Sequence, residues 1–260
     1  MRWRQTFIDG TYGDKTVILT AGIVDTPQKA VLLFHGVHSN ACSDPGNKYA
    51  RIGRALAECG VLPVMAETSR RVRNRHDYAN DPMGWIYDAF DGKTYMQELE
   101  DTYAAYKAVR QLYPALSLTL WGFSLGGLSA LLIAGGFMTG DAPQDIEGLI
   151  MCGSGDETYP ENADVLKLPI LNTVREPFEL YRAAEKVRAP WVRSFRGSED
   201  ATFSEAACRR IFDKIAASDK AYCEIDGSDH SFRLVHGAPS RRPLKELYAR
   251  LPQLFPEHVK

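Results

Sequence analysis

Apolar residues fall along this chain in two rhythms. Short continuous runs alternate with longer stretches whose apolar positions recur every three or four residues, and this alternation predicts the elements. Residues 2–9 and 15–24 alternate well enough to form two strands, joined as a hairpin at Gly10–Asp14. Ala30-Val31-Leu32-Leu33-Phe34 is a continuous apolar run, as a strand covered on both faces requires. A helix is expected from about Lys48 to Cys59, closed by Gly60, and a strand over Val61–Ala66. Glu67 to about Thr94 follows no period and reads as a long irregular segment. Helical periodicity returns over Tyr95–Tyr113 and stops at Pro114. Leu116–Leu120 is a strand, Leu128–Ala134 a helix closed by Gly135 and Gly136, and Gly148–Cys152 a strand. A helix from about Pro177 to Val187, a strand over Trp191–Phe195, a helix over Ser204–Ala217 capped by Ser204 and a strand over Ala221–Ile225 complete the pattern. A last amphipathic segment, Leu244–Phe255, is expected to be helical around Pro252. Strands alternating with helices imply an α/β protein with a mostly parallel sheet and helices on both faces. No repeat or low-complexity linker divides residues 1–260, so a single domain is expected.

Composition adds exclusions. A net charge of −2 gives no general attraction for nucleic acid or membrane surfaces. The longest apolar stretch, Leu128–Met138, is short and broken by glycine, and the N-terminus has a charged start with no apolar core after it. The five cysteines (Cys42, Cys59, Cys152, Cys208, Cys223) show no metal-binding or disulfide spacing. A cytoplasmic protein with reduced thiols, no metal and no cofactor is the expectation. No oligomeric state is read from the sequence.

The chemistry centres on Gly122-Phe123-Ser124-Leu125-Gly126, set between the predicted strand and helix. A serine in G-x-S-x-G at such a junction is held in a tight, strained turn that exposes its hydroxyl at a helix N-terminus. The hydroxyl needs a base, and the base an orienting acid. His230 is preferred as base because it follows the last strand and so shares the carboxyl edge of the sheet with Ser124. His236 is the reserve, and His258 reads as a surface residue. Asp200, after the strand Trp191–Phe195, is preferred as acid over Glu199, Asp226 and Asp229. Oxyanion donors are expected at the N–H of Leu125 and of Val37, with His35 an anchor of that loop.

The order Ser124…Asp200…His230 with His35-Gly36 upstream resembles the α/β-hydrolase superfamily over about residues 16–255. Its Gly-Phe-Ser-Leu-Gly-Gly, Gly-Ser-Glu-Asp and Asp-His-Ser-Phe segments are similar to serine esterases of the dienelactone-hydrolase and cinnamoyl (feruloyl) esterase type. The resemblance implies ester hydrolysis without metal or cofactor, and a small cap, here 153–190. The chain departs from those relatives at Glu67-Thr68-Ser69-Arg70, where an Asp-x-x-Gly-x-Gly-like turn is usual. Serine at the nucleophile position argues against a haloalkane dehalogenase, which has aspartate there. It also argues against dienelactone hydrolysis itself, whose enzymes often carry cysteine. A carboxylesterase acting on a small or aromatic acyl ester is the expected function. An acyltransferase using the same triad and a non-catalytic ligand-binding protein on the same fold are the rivals. His38, Arg70, Arg71, Trp85 and Tyr87 are candidate substrate contacts. The bland alternative makes the arginines a solvated face and the aromatics core.

Overall fold

The computed structural model describes residues 1–37, 39–160, 167–238 and 240–255. In chain order the elements are β1 (Trp3–Asp9), β2 (Thr16–Gly22), β3 (Lys29–Phe34), α1 (Lys48–Glu58) and β4 (Leu62–Glu67). A single 3-10 turn, His76–Tyr78, precedes α2 (Pro82–Phe90), α3 (Tyr95–Leu112), β5 (Ser117–Phe123), α4 (Leu125–Ala134) and β6 (Ile146–Cys152). There follow α5 (Pro169–Asn172), α6 (Pro177–Lys186), β7 (Trp191–Gly197), α7 (Glu205–Lys214), β8 (Asp219–Ile225), α8 (Arg242–Ala249) and α9 (Leu251–Leu254).

The eight strands form one sheet in the order β1-β2-β4-β3-β5-β6-β7-β8. The hairpin strand β2 runs antiparallel to β1 and β4, and the remaining neighbours are parallel. All six strands from β3 to β8 therefore deliver their carboxyl ends to one edge. The run in β3 is continuous because its two faces enter two cores. Ala30, Leu32 and Phe34 join a cluster with Leu99 of α3 and Leu131 of α4. Val31 and Leu33 join another with Ile52 and Leu56 of α1 and Leu247 of α8. Each large side chain so covered contributes about 1.5–3 kcal/mol.

Two elements differ from expectation. The segment 67–94 contains a helix, α2, with Asp81 accepting from Gly84 N and Pro82 in the first turn. Its buried stripe is Trp85, Ile86, Ala89 and Phe90, while Gly84 inside it blurs the period. The terminal helix is two helices, α8 and α9, meeting at Arg250 with Pro252 in the first turn of the second. Within 153–190, α6 buries Leu180, Ala183 and Ala184 in the same core as α4, so that part of the segment belongs to the helix layer. No helix among the described residues is long and apolar enough to cross a membrane.

Candidate active site

Ser124 joins β5 to α4 with φ 53° and ψ −120°, a conformation that L-residues avoid. The surroundings over-determine it. Every residue of α4 is buried, Ser124 N donates to Cys152 O at 2.7 Å, and Ser154 Oγ donates to Ser124 O at 2.9 Å. A β-carbon at Gly126 would lie 2.5 Å from His35 O, so glycine there lets α4 start directly under the loop that follows β3. Leu125 opens α4, and its N–H has no acceptor within the helix. Gly36 packs against the serine from the other side: a β-carbon there would sit 3.1 Å from Ser124 Cβ and 3.8 Å from its Oγ. Neither Val37 N nor Leu125 N donates to another group among the described residues.

The loops after β7 and β8 bring a second pair to this edge. His230 Nδ1 lies 2.8 Å from Asp200 Oδ2, whose side chain is fully enclosed. The other oxygen, Oδ1, accepts from Thr202 N at 2.8 Å and Phe203 N at 3.1 Å. Burial alone would raise the Asp200 pKa. The hydrogen bond and charge of His230, with the N–H groups of Phe203 and Thr202, outweigh it and hold the carboxyl below its usual range. Gly153, just after β6, links the pair to the strand-to-helix elbow at Ser124. A β-carbon on it would lie 3.0 Å from His230 Nδ1 and 3.2 Å from Asp200 Oδ2, while the preceding residue is the acceptor for Ser124 N.

The other candidate acids and bases lie elsewhere. Asp229 organises its own loop, accepting from Ser231 N and Arg233 N at 2.9 and 2.8 Å. Glu199 and His236 are exposed, and Asp226 takes no part in the His230 contact. His258 and His38 lie outside the described residues. The Cys152 thiol, near the elbow, accepts from Trp121 Nε1 at 3.2 Å and burial pushes its pKa up to about 12, so it is no competing nucleophile at neutral pH.

No protein-family model and no curated protein matches this chain. Solved structures do. An esterase domain from Rhodothermus marinus superposes with a TM-score of 0.66 at 17% identity, covering 97% of each chain. A dienelactone hydrolase from Anabaena variabilis gives 0.64 at 14% identity, over 100% of each. A soluble variant of monoglyceride lipase from Saccharomyces cerevisiae, in complex with a substrate analogue, gives 0.65 at 14% identity, over 100% of this chain and 96% of that one. The chain has the α/β-hydrolase fold.

On this fold the residues after β4 stand out. Arg70 and Trp85 are both 0% exposed, so the substrate contact expected of them is corrected to buried packing. The Arg70 guanidinium is enclosed by an ion pair with Glu67 (2.6 Å) and by the rings of Trp85 and Phe90 at 5.1 and 4.7 Å. Trp85→Ala is accordingly expected to cost about 3–5 kcal/mol in a denaturant melt, as a core truncation does. Arg71 is exposed and paired with Asp91 at 2.6 Å, and Tyr87 is 38% exposed on α2.

Three supporting residues carry little mark in the sequence. Arg196, at the end of β7, donates Nε to Phe203 O (3.0 Å) and Nη2 to Asp200 O (3.3 Å). Phe203 sets its ring 5.5 Å from that of His230. Ser154 is the donor to Ser124 O described above. A charged residue at the carboxyl end of the strand, next to the Asp200 loop, was the available signal for Arg196. Phe203 and Ser154 carry none.

His35 is buried, with Nδ1 3.0 Å from Gly36 O and Nε2 facing Thr68 N and Arg70 Nη2 at 3.3 and 3.1 Å. Burial and the Arg70 charge push its pKa down to about 4 from an ordinary 6.5. The imidazole is therefore neutral in the fold and readily protonated once unfolded. Between pH 6.5 and 4 the unfolded state binds the extra proton, so stability falls as pH falls, by about 3 kcal/mol across the window. In His35→Gln this acid-side slope should disappear from urea melts taken at pH 4.5 and 7. An unchanged slope would place its origin in other groups.

Proposed function

We propose that this chain is a serine hydrolase, specifically a carboxylesterase for small or aromatic acyl esters. Ser124 is the nucleophile, His230 the base and Asp200 its orienting acid. The observation that carries the reading is the 2.8 Å contact between His230 Nδ1 and the enclosed Asp200, on the sheet edge that also holds the strained Ser124. The esterases among the fold's solved relatives support it. Ser124 Oγ attacks the acyl carbon while its proton passes to His230 Nε2, the ring nitrogen left free by Asp200. The carbonyl oxygen becomes an oxyanion met by the N–H groups of Val37 and Leu125. Collapse expels the alcohol, which takes the proton from His230. Water then attacks the acyl-enzyme, His230 again carries the proton, and the carboxylic acid leaves with Ser124 restored.

We take the chain as one domain, in which any shielding of the site falls to the part of 153–190 outside α6. Arg71 and Tyr87 are kept as candidate substrate contacts on the segment after β4. A reducing, cytoplasmic setting suits the five unpaired cysteines. The test is labelling by a fluorophosphonate probe, mapped to its peptide, together with turnover of p-nitrophenyl esters of graded chain length beside aryl-acid esters. Labelling at Ser124 with ester turnover is expected. Failure of both would leave only the fold. Assays with added alcohols and amines separate hydrolysis from acyl transfer by their products.

A further inference from the structure

Glu67 and Arg70 form a buried ion pair that spans the base of the loop from Gly36 to Ala41. Arg70 Nη2 donates to Ser39 O at 2.8 Å and to His35 Nε2 at 3.1 Å, and its Nε lies 2.6 Å from Glu67 Oε1. Glu67 Oε2 accepts from Ala41 N at 2.5 Å. One ion pair thus grips the loop at its entry, its middle and its exit. Tyr49 Oη accepts from Gly36 N at 3.3 Å and fixes the same stretch from α1. Between these anchors stands Val37, with Gly36 pressed against Ser124.

Stability alone does not account for the arrangement. Taking two charges out of water costs several kcal/mol per ion, and apolar replacement of such pairs is often neutral or favourable. Arg70 Nη1 even lacks a hydrogen-bond acceptor, and the guanidinium faces the Trp85 and Phe90 rings instead. What an ion pair supplies and an apolar pair cannot is direction: a guanidinium fork and a carboxylate accept only certain positions for Ser39 O and Ala41 N.

We propose that Glu67 and Arg70 are positioning residues that act through the 36–41 loop to aim the Val37 N–H at the oxyanion. This rests on the hydrolase reading above. It also gives a purpose to the departure of Glu67-Thr68-Ser69-Arg70 from the turn usual in similar esterases.

The test compares the native chain with Arg70→Met and with the double variant Glu67→Met/Arg70→Met. The double variant leaves no unpaired buried charge and keeps the experiment informative if the single one fails to fold. Two quantities are read: kcat and KM for a p-nitrophenyl ester, and affinity for an aryl trifluoromethyl ketone, whose serine adduct places an oxyanion in the same hole. Losing one such donor lowers turnover by about 10²–10³-fold, and misaiming it should cost about 10–100-fold. In the folded double variant kcat and ketone affinity should fall by similar factors, with KM changed by less than about threefold. Ketone binding equal to native, or a raised KM with native kcat, would overturn the inference while leaving the hydrolase reading intact. Failure of the native chain to bind the ketone would count against the hydrolase reading itself and remove this inference with it.

Discussion

Ser124→Ala is expected to lower kcat/KM for any ester substrate by about 10⁴-fold or more, with the fold unchanged. The size follows from what the hydroxyl does. Removing it leaves the oxyanion donors and the binding site in place but ends covalent catalysis, and the residual rate is that of water attack on a bound ester. Folding should survive because the constraints on residue 124 are made by its backbone: its N–H to Cys152 O, and its carbonyl to Ser154 Oγ. Alanine at φ 53° inherits the strain of serine there, so the cost in stability is small beside the cost in rate. Stopped assays on variant protein purified free of host esterases, with a thermal melt alongside, make the check. Retention of more than a few per cent of turnover would remove Ser124 as nucleophile.

The parts legible in the sequence share a physical cause. A strand buried on both faces writes itself as an apolar run, and Ala30–Phe34 and Leu116–Leu120 could be placed for that reason, although the second strand in fact runs Ser117–Phe123. G-x-S-x-G is legible because two backbone segments approach too closely for any side chain: a β-carbon at Gly122 would lie 2.1 Å from Gly126 O. Chain order and strand ends then sufficed to bring the loops of Asp200 and His230 to one edge. The segment after β4 was not legible for the opposite reason. Its helix is short, carries Gly84, and shows a buried stripe only once Trp85 and Phe90 are known to enclose a cation. Four arginines within six positions look alike in sequence. In the fold, Arg70 pairs with Glu67, Arg71 with Asp91 and Arg73 with Asp14, while Arg75 lies over the Trp85 ring. Partner choice of this kind is set by tertiary contacts and leaves no periodic mark.

His230→Ala is expected to match the serine variant, a loss of about 10⁴-fold or more, because nucleophile and base fail as a unit. Asp200→Asn should cost somewhat less, since it leaves the imidazole present but without its orienting charge. The pH profile distinguishes these roles. Only neutral imidazole can take the serine proton, so native kcat/KM should rise with pH on the acid limb of the profile. Asp200 does not blur that rise. Its carboxyl is held below the usual range by His230 and by the N–H groups of Phe203 and Thr202, against the opposing effect of burial. The same depression makes Asp200 a source of stability above the ordinary carboxylate pKa, lost only as pH falls through its lower folded value. In Asp200→Asn the imidazolium loses its partner 2.8 Å away, so the midpoint of the residual activity should move to lower pH. An unmoved midpoint would mean that Asp200 does not act on the base. A harmless His230→Ala beside an inactivating His236→Ala would move the base to the exposed His236 loop and away from the Ser124 edge.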